Sequence, residues 1–276
     1  IDLGRRLLFG FLVRVGWRVG EAIGGEIDPN TKKRRIPPLT WEAVDLERGV
    51  LTLDKNKTDD PRIVPLAADV VRALKAWKEL YPIGEAKPTD PVFVEYVATI
   101  DRKVREHGRT RLPNHLRADV FKAKIDRAAL LTAATDTHAP LHVHDLRASM
   151  VTVALANDRS ERWICDRTGH KSHAMIERYR RQARTFAEMN VGDWAPLDEA
   201  IPELAPAPKG AVNGGSRGQQ PSRSAARRRI HTRISRKIRR VAARSTPTSA
   251  LANPLHVGSN PILTSAAASL CSAIRT

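Results

Sequence analysis

The chain has 276 residues, with 47 Lys and Arg against 30 Asp and Glu, a formal charge of +17. That length supports one or two domains whose core stands without staples, and a hydrophobic fraction of 41% excludes wholesale disorder. The positive excess points to a polyanionic partner, most simply nucleic acid and less directly an acidic membrane surface. Two cysteines, Cys165 and Cys271, are too few and too far apart for a disulfide framework or a thiolate zinc site. A reducing compartment, the cytoplasm, is therefore expected. No apolar run approaches the roughly 20 residues of a membrane span. The stretch Leu7 to Val15 is interrupted by Gly10 and Arg14 and makes a poor signal peptide. The chain opens at Ile1 rather than Met, which predicts a piece of a longer protein.

In chain order, Leu7, Leu8, Phe11, Leu12 and Val15 recur at helical spacing and predict a core helix. Glu26 to Pro38, with its Pro29-Asn30, Lys32-Lys33-Arg34-Arg35 and Pro37-Pro38, reads as an exposed loop. Val50 to Leu53 and Arg62 to Pro65 are two short β-type runs around a polar stretch, which predicts a small hairpin. Val70, Val71, Leu74 and Trp77 predict the next helix, and more are expected around 118–131, 147–156, 162–168 and 174–186. The fold class is mainly α with a small antiparallel β-sheet (α+β). Residues 201–276 hold 13 basic residues and one acid, Glu203, so +12 lies there and only +5 in the first 200. Their Pro, Ala, Ser and Gly content predicts a folded domain over 1–195 and a basic, disordered tail over 196–276.

Several polar residues stand at spacings that suggest chemistry, each beside a plainer reading. Arg18 and Glu21 are three apart at a helix start, so the carboxylate can orient the guanidinium, or the two form an ordinary surface ion pair. His144 and Arg147 repeat that spacing at another helix start, where positive potential favours an anion; a solvated histidine is the alternative. Gly169-His170 precedes Tyr179 by a helix, and a tyrosine among arginines is often amphipathic packing. Lys57, with Lys55 on the same hairpin turn, is either solvated or a mobile donor reaching a site.

Together these segments resemble the catalytic domain of the tyrosine recombinase (phage integrase) family. Gly16-Trp17-Arg18-Val19-Gly20-Glu21-Ala22 is similar to its first arginine box, and Leu39 to Leu46 to the segment leading into its hairpin. Lys57-Thr58 through Arg62-Ile63-Val64-Pro65-Leu66 resembles its lysine hairpin. His144-Asp145-Leu146-Arg147 resembles its second box, and Thr168-Gly169-His170 with Tyr179 its last. Each box is loose alone, but five in family order across about residues 5 to 190 make a specific match.

The resemblance implies a DNA breaking-rejoining enzyme fold and phosphoryl transfer on double-stranded DNA attachment sites, with no cofactor, metal or ATP. Tyr179 would be the nucleophile, and Arg18 and Arg147 the clamp on the charged transition state. His144 would assist proton movement, His170 would donate to the phosphate or orient the tyrosine, and Lys57 would be the general acid. Glu21 would support Arg18, and Lys32, Lys33, Arg34 and Arg35 are DNA-contact candidates. It further implies a homo-tetramer assembled on DNA, no membrane association, and a place on the bacterial nucleoid. The segment from Gln182 to Trp194 would either dock on a neighbour in that assembly or pack on its own domain.

The chain departs from the family in three ways. Only 17 residues precede Arg18, where a helical DNA-clamping domain is usual. The loop from Gly25 to Pro38 lengthens a link that is normally short. Residue 148 is Ala and residue 168 is Thr, where histidine or threonine and leucine are commoner, and neither change removes an expected chemical group. Two other readings are a truncated, inactive remnant that only binds DNA and a basic nucleic-acid-binding protein whose boxes are coincidence.

Overall fold

The computed structural model describes residues 2–25, 36–54, 61–96, 108–125, 130–131, 139–190 and 192–205. Helix α1 (Leu3–Val15) runs through the centre of the core: Leu7, Leu8, Phe11 and Leu12 are at most 1% exposed. Its start is capped by Asp2, whose carboxylate accepts from the Arg5 N–H at 3.0 Å. Its end is set by Gly16 at φ 75°, a left-handed cap that suits glycine. Phe11 meets the edges of Trp17 and Phe93, with ring centroids 6.2 and 5.4 Å away. Burial of such side chains contributes about 1.5–3 kcal/mol each, so α1 anchors everything that packs around it.

Beyond the one-turn α2 (Val19–Ile23), the Gly25 N–H donates to the Ile36 carbonyl at 2.8 Å, closing the base of the predicted loop. The basic run Lys32 to Arg35 within it lies outside the described residues. A 3-10 turn, Trp41–Ala43, leads into a three-stranded antiparallel sheet in the order β1 (Val44–Asp45), β2 (Val50–Leu53), β3 (Arg62–Pro65). The predicted hairpin is present, with Leu51 opposite Val64 and Leu53 opposite Arg62. The short edge strand β1, paired Val44 to Leu51, adds to it.

The remaining helices are α3 (Ala68–Glu79), α4 (Gly108–Lys122), α5 (Val143–Ala156), α6 (Glu161–Thr168), α7 (His173–Glu188) and α8 (Leu197–Ala200). The largest discrepancy with the sequence reading is α4, which begins ten residues before the expected 118 and ends at Lys122. Pro113 lies inside it; a proline that removes a ladder hydrogen bond conceals a helix from periodicity alone. Helix α5 also starts earlier than expected, so His144 occupies its first turn.

A small apolar cluster of Met150, Val151, Ala154, Ile164 and Ile176 joins α5, α6 and α7, with Tyr179 packed against it. The packed body continues past residue 195. Leu197, Ala200, Ile201 and Leu204 are at most 1% exposed, and Asp198 holds Arg72 through two bonds of 2.5 and 3.1 Å. Among the described residues, no helix is long and apolar enough to cross a membrane.

Candidate active site

Arg147 is the hub of the site. It rises from α5 and is 2% exposed, a burial that a guanidinium tolerates only with close partners. Its Nη1 donates to the Gly16 carbonyl at 2.8 Å and its Nη2 to the Thr168 carbonyl at 2.6 Å. Gly16 caps the C-terminus of α1, and Thr168 is the last residue of α6. Two helix C-termini, each with unpaired carbonyls and a partial negative charge, thus hold one cation between them. The Arg147 Nε is buried with no hydrogen-bond partner.

Arg18 stands at the start of α2 with its side chain 29% exposed. Its main-chain N–H donates to Glu21 Oε2 at 2.7 Å and its Nη1 to Glu21 Oε1 at 3.3 Å. Glu21 is 1% exposed, so this pair is not the surface ion pair of the plainer reading. The carboxylate also accepts from Arg62 Nη2 at 2.7 Å. Sequence reasoning passed over Arg62. In β3 it is 8% exposed while its neighbour Ile63 is 72% exposed, an inversion of the usual alternation with charge inward and the apolar side chain outward. The available signal was its phase, since Arg62 shares a strand face with buried Val64.

His170 follows the turn that ends α6. Gly169 adopts φ 68°, which suits glycine, and a Cβ there would overlap Arg62 Nη1, so the missing side chain also makes room for the Arg62 guanidinium. The His170 ring is held at both nitrogens: Nδ1 lies 2.9 Å from Thr168 Oγ1, and Nε2 lies 3.3 Å from Arg147 Nη2. Its pKa is pushed down to about 4 by burial, and further by the charges of Arg147, Arg18, His144 and Arg62. The Tyr179 ring, on α7, is centred 6.3 Å from the His170 ring. Burial raises the Tyr179 pKa while Arg147 and Arg178 oppose that rise, so in the free site it is a phenol.

His144, in the first turn of α5, keeps an exposed face. Its pKa is nevertheless lowered, first by desolvation among its neighbours and then by Arg147 and Arg18. Asp145 beside it closes the helix start by accepting from the His142 N–H at 2.6 Å, with its own pKa raised by burial. Arg147 itself is pushed down to about 10, by burial first and then by Arg18, and remains charged at neutral pH. Three guanidinium groups around one buried carboxylate leave this cluster positive.

Five of the six expected chemical residues, Arg18, His144, Arg147, His170 and Tyr179, therefore converge. The sixth, Lys57, lies outside the described residues, in the connection between Leu53 and Arg62. Among the described residues there is no group of three or more side chains that could ligate a metal ion. What the arrangement can do chemically is receive a phosphate: buried, fixed cations face a phenol across a histidine.

No curated protein and no solved structure matches the chain. A model of the phage integrase family matches residues 1–185, which span α1 through most of α7 and include every residue of the cluster. The chain belongs to the phage integrase family of tyrosine recombinases.

Proposed function

We propose that this protein cleaves and rejoins DNA at specific sites through a covalent 3′-phosphotyrosine intermediate, without metal or ATP. The observation that carries the reading is the convergence of Arg18, His144, His170 and Tyr179, from several segments of the chain, around the buried Arg147 guanidinium. In the proposed step the Tyr179 oxygen forms a bond to the scissile phosphorus while the bond to the 5′-oxygen breaks. The phenolic proton passes toward His144, and Lys57 protonates the departing 5′-oxygen. Arg147 and Arg18 stabilise the charge that gathers on the non-bridging oxygens, a role suited to a planar donor that stays charged. Glu21 and Arg62 keep Arg18 in place. The phosphotyrosyl bond conserves the energy of the broken ester, so a 5′-hydroxyl from a second duplex can reverse the step on a new partner.

Exchange between two duplexes needs four active sites, and we assign the working form to a homo-tetramer assembled on paired double-stranded attachment sites, at the nucleoid in the cytoplasm. The basic run Lys32 to Arg35 and the basic segment beyond residue 205 would add sequence-independent phosphate contacts. Nicked duplexes carrying a candidate attachment site trap the covalent intermediate, because the short 5′ fragment diffuses away after cleavage. A denaturation-resistant protein–DNA adduct that is lost in Tyr179→Phe is the expected result. Absence of any adduct on the correct site, or an adduct that persists in Tyr179→Phe, overturns the proposal.

A further inference from the structure

Thr168 is a departure from the family pattern that looked chemically neutral in the sequence, yet it is fully buried at 0% exposure and touches both site groups. Its carbonyl accepts from Arg147 Nη2 at 2.6 Å. Its hydroxyl lies 2.6 Å from the Ile164 carbonyl and 2.9 Å from His170 Nδ1. A hydroxyl has one hydrogen, and a carbonyl can only accept, so that hydrogen goes to Ile164. Oγ1 can then meet His170 only as an acceptor, which puts a hydrogen on Nδ1. The other side of the ring leads to the same answer. A guanidinium has no lone pair to offer, so at 3.3 Å from Arg147 Nη2 the His170 Nε2 is the acceptor.

We propose that Thr168 is a positioning residue that holds His170 as the Nδ1–H tautomer, with the Nε2 lone pair turned to Arg147 in the free site. Leucine or valine at this position offers no acceptor to Nδ1 and releases the ring to its other tautomer or to a rotated setting. The lock bears on the reaction as read above. His170 occupies one hydrogen of Arg147 Nη2 until DNA arrives, and it can donate to a phosphate oxygen only after Nε2 acquires a proton that the free site does not carry there. The Thr168 hydroxyl thus sets the state from which the site starts.

Two-bond proton–nitrogen correlation spectra of nitrogen-15-labelled protein read the tautomer of His170 directly, with His170→Asn identifying its signals. The wild-type protein and Thr168→Ser are expected to show a protonated Nδ1 and a lone pair on Nε2, and Thr168→Val a shift of population to Nε2–H. Thermal unfolding of each variant establishes that it is folded. Nε2–H in the wild-type protein, which needs no variant to observe, overturns the inference; so does an unchanged Nδ1–H signature in Thr168→Val. On nicked duplexes, Thr168→Val is expected to form the tyrosyl adduct about tenfold more slowly, the loss of one hydrogen bond in the site, with Thr168→Ser close to the wild type. The expected spectra with no adduct from any of the three proteins would sustain the role of Thr168 and count against the recombination chemistry instead.

Discussion

The buried pair formed by Glu21 and Arg62 invites a double-mutant cycle. Glu21→Gln leaves Arg18 and Arg62 in place, the latter with its side chain 6% exposed and its counter-charge gone. Removing one partner of a buried ion pair costs about 3–5 kcal/mol, because the remaining charge is stranded. Arg62→Met is milder, since Glu21 retains the Arg18 N–H at 2.7 Å and the Arg18 Nη1 at 3.3 Å. It also removes two buried donors, Nε and Nη1, that have no hydrogen-bond partner. A cost of about 2 kcal/mol is expected there. In the double variant neither charge is stranded by loss of the other, so its cost should fall below the sum of the singles by about 2 kcal/mol. For a domain of this size each kcal/mol moves the unfolding midpoint by about 2–4 °C, so Glu21→Gln alone should lower Tm by roughly 6–20 °C. Urea denaturation of the four proteins at neutral pH measures the cycle. Additivity within about 0.5 kcal/mol would refute the coupling and, with it, the view that Arg62 reaches Arg18 through a shared carboxylate.

Two further outcomes follow from the histidine and the turn before it. His170 has a folded pKa of about 4 against an ordinary value of 6.5, so the fold favours its neutral form. Its contribution is complete above about pH 6.5 and is lost as the pH falls toward 4, by up to about 3 kcal/mol at 1.36 kcal/mol per unit. His170→Asn should flatten that part of the stability profile, and an unchanged slope between the two proteins would contradict the assignment. Gly169→Ala is expected to cost more than about 2 kcal/mol, since it combines a left-handed backbone with an overlap on Arg62. Chemical denaturation measures the loss, and a variant as stable as the wild type would mean that the Arg62 guanidinium does not press on this turn.

Hydrophobic periodicity revealed α1, α3 and the hairpin, because their apolar positions face one core at regular spacing. It misplaced the bounds of α4, where Pro113 breaks the pattern while tertiary packing of Leu112, Leu116 and Val120 retains the helix. It missed β1 because two residues are too few to show alternation. The site divides in the same way. Spacing left Arg18, His144, Arg147, His170 and Tyr179 each beside a plainer reading, and it was the order of the boxes, in resemblance to the family, that singled them out. Arg62 was hidden by the assumption that a strand turns its charges outward, and Thr168 by a comparison of side-chain types that took no account of which atoms its hydroxyl would reach.

The return of the chain onto its own beginning has a topological consequence. Arg6 on α1 pairs with Glu203, Arg14 donates to the Ala195 carbonyl, and the Leu197 N–H donates to Asp69 at 2.8 Å. The first and the last described stretches of the chain are therefore neighbours. A short peptide bridging those two points would close the backbone into a ring, and new ends could then be opened elsewhere without unthreading α1 from the core.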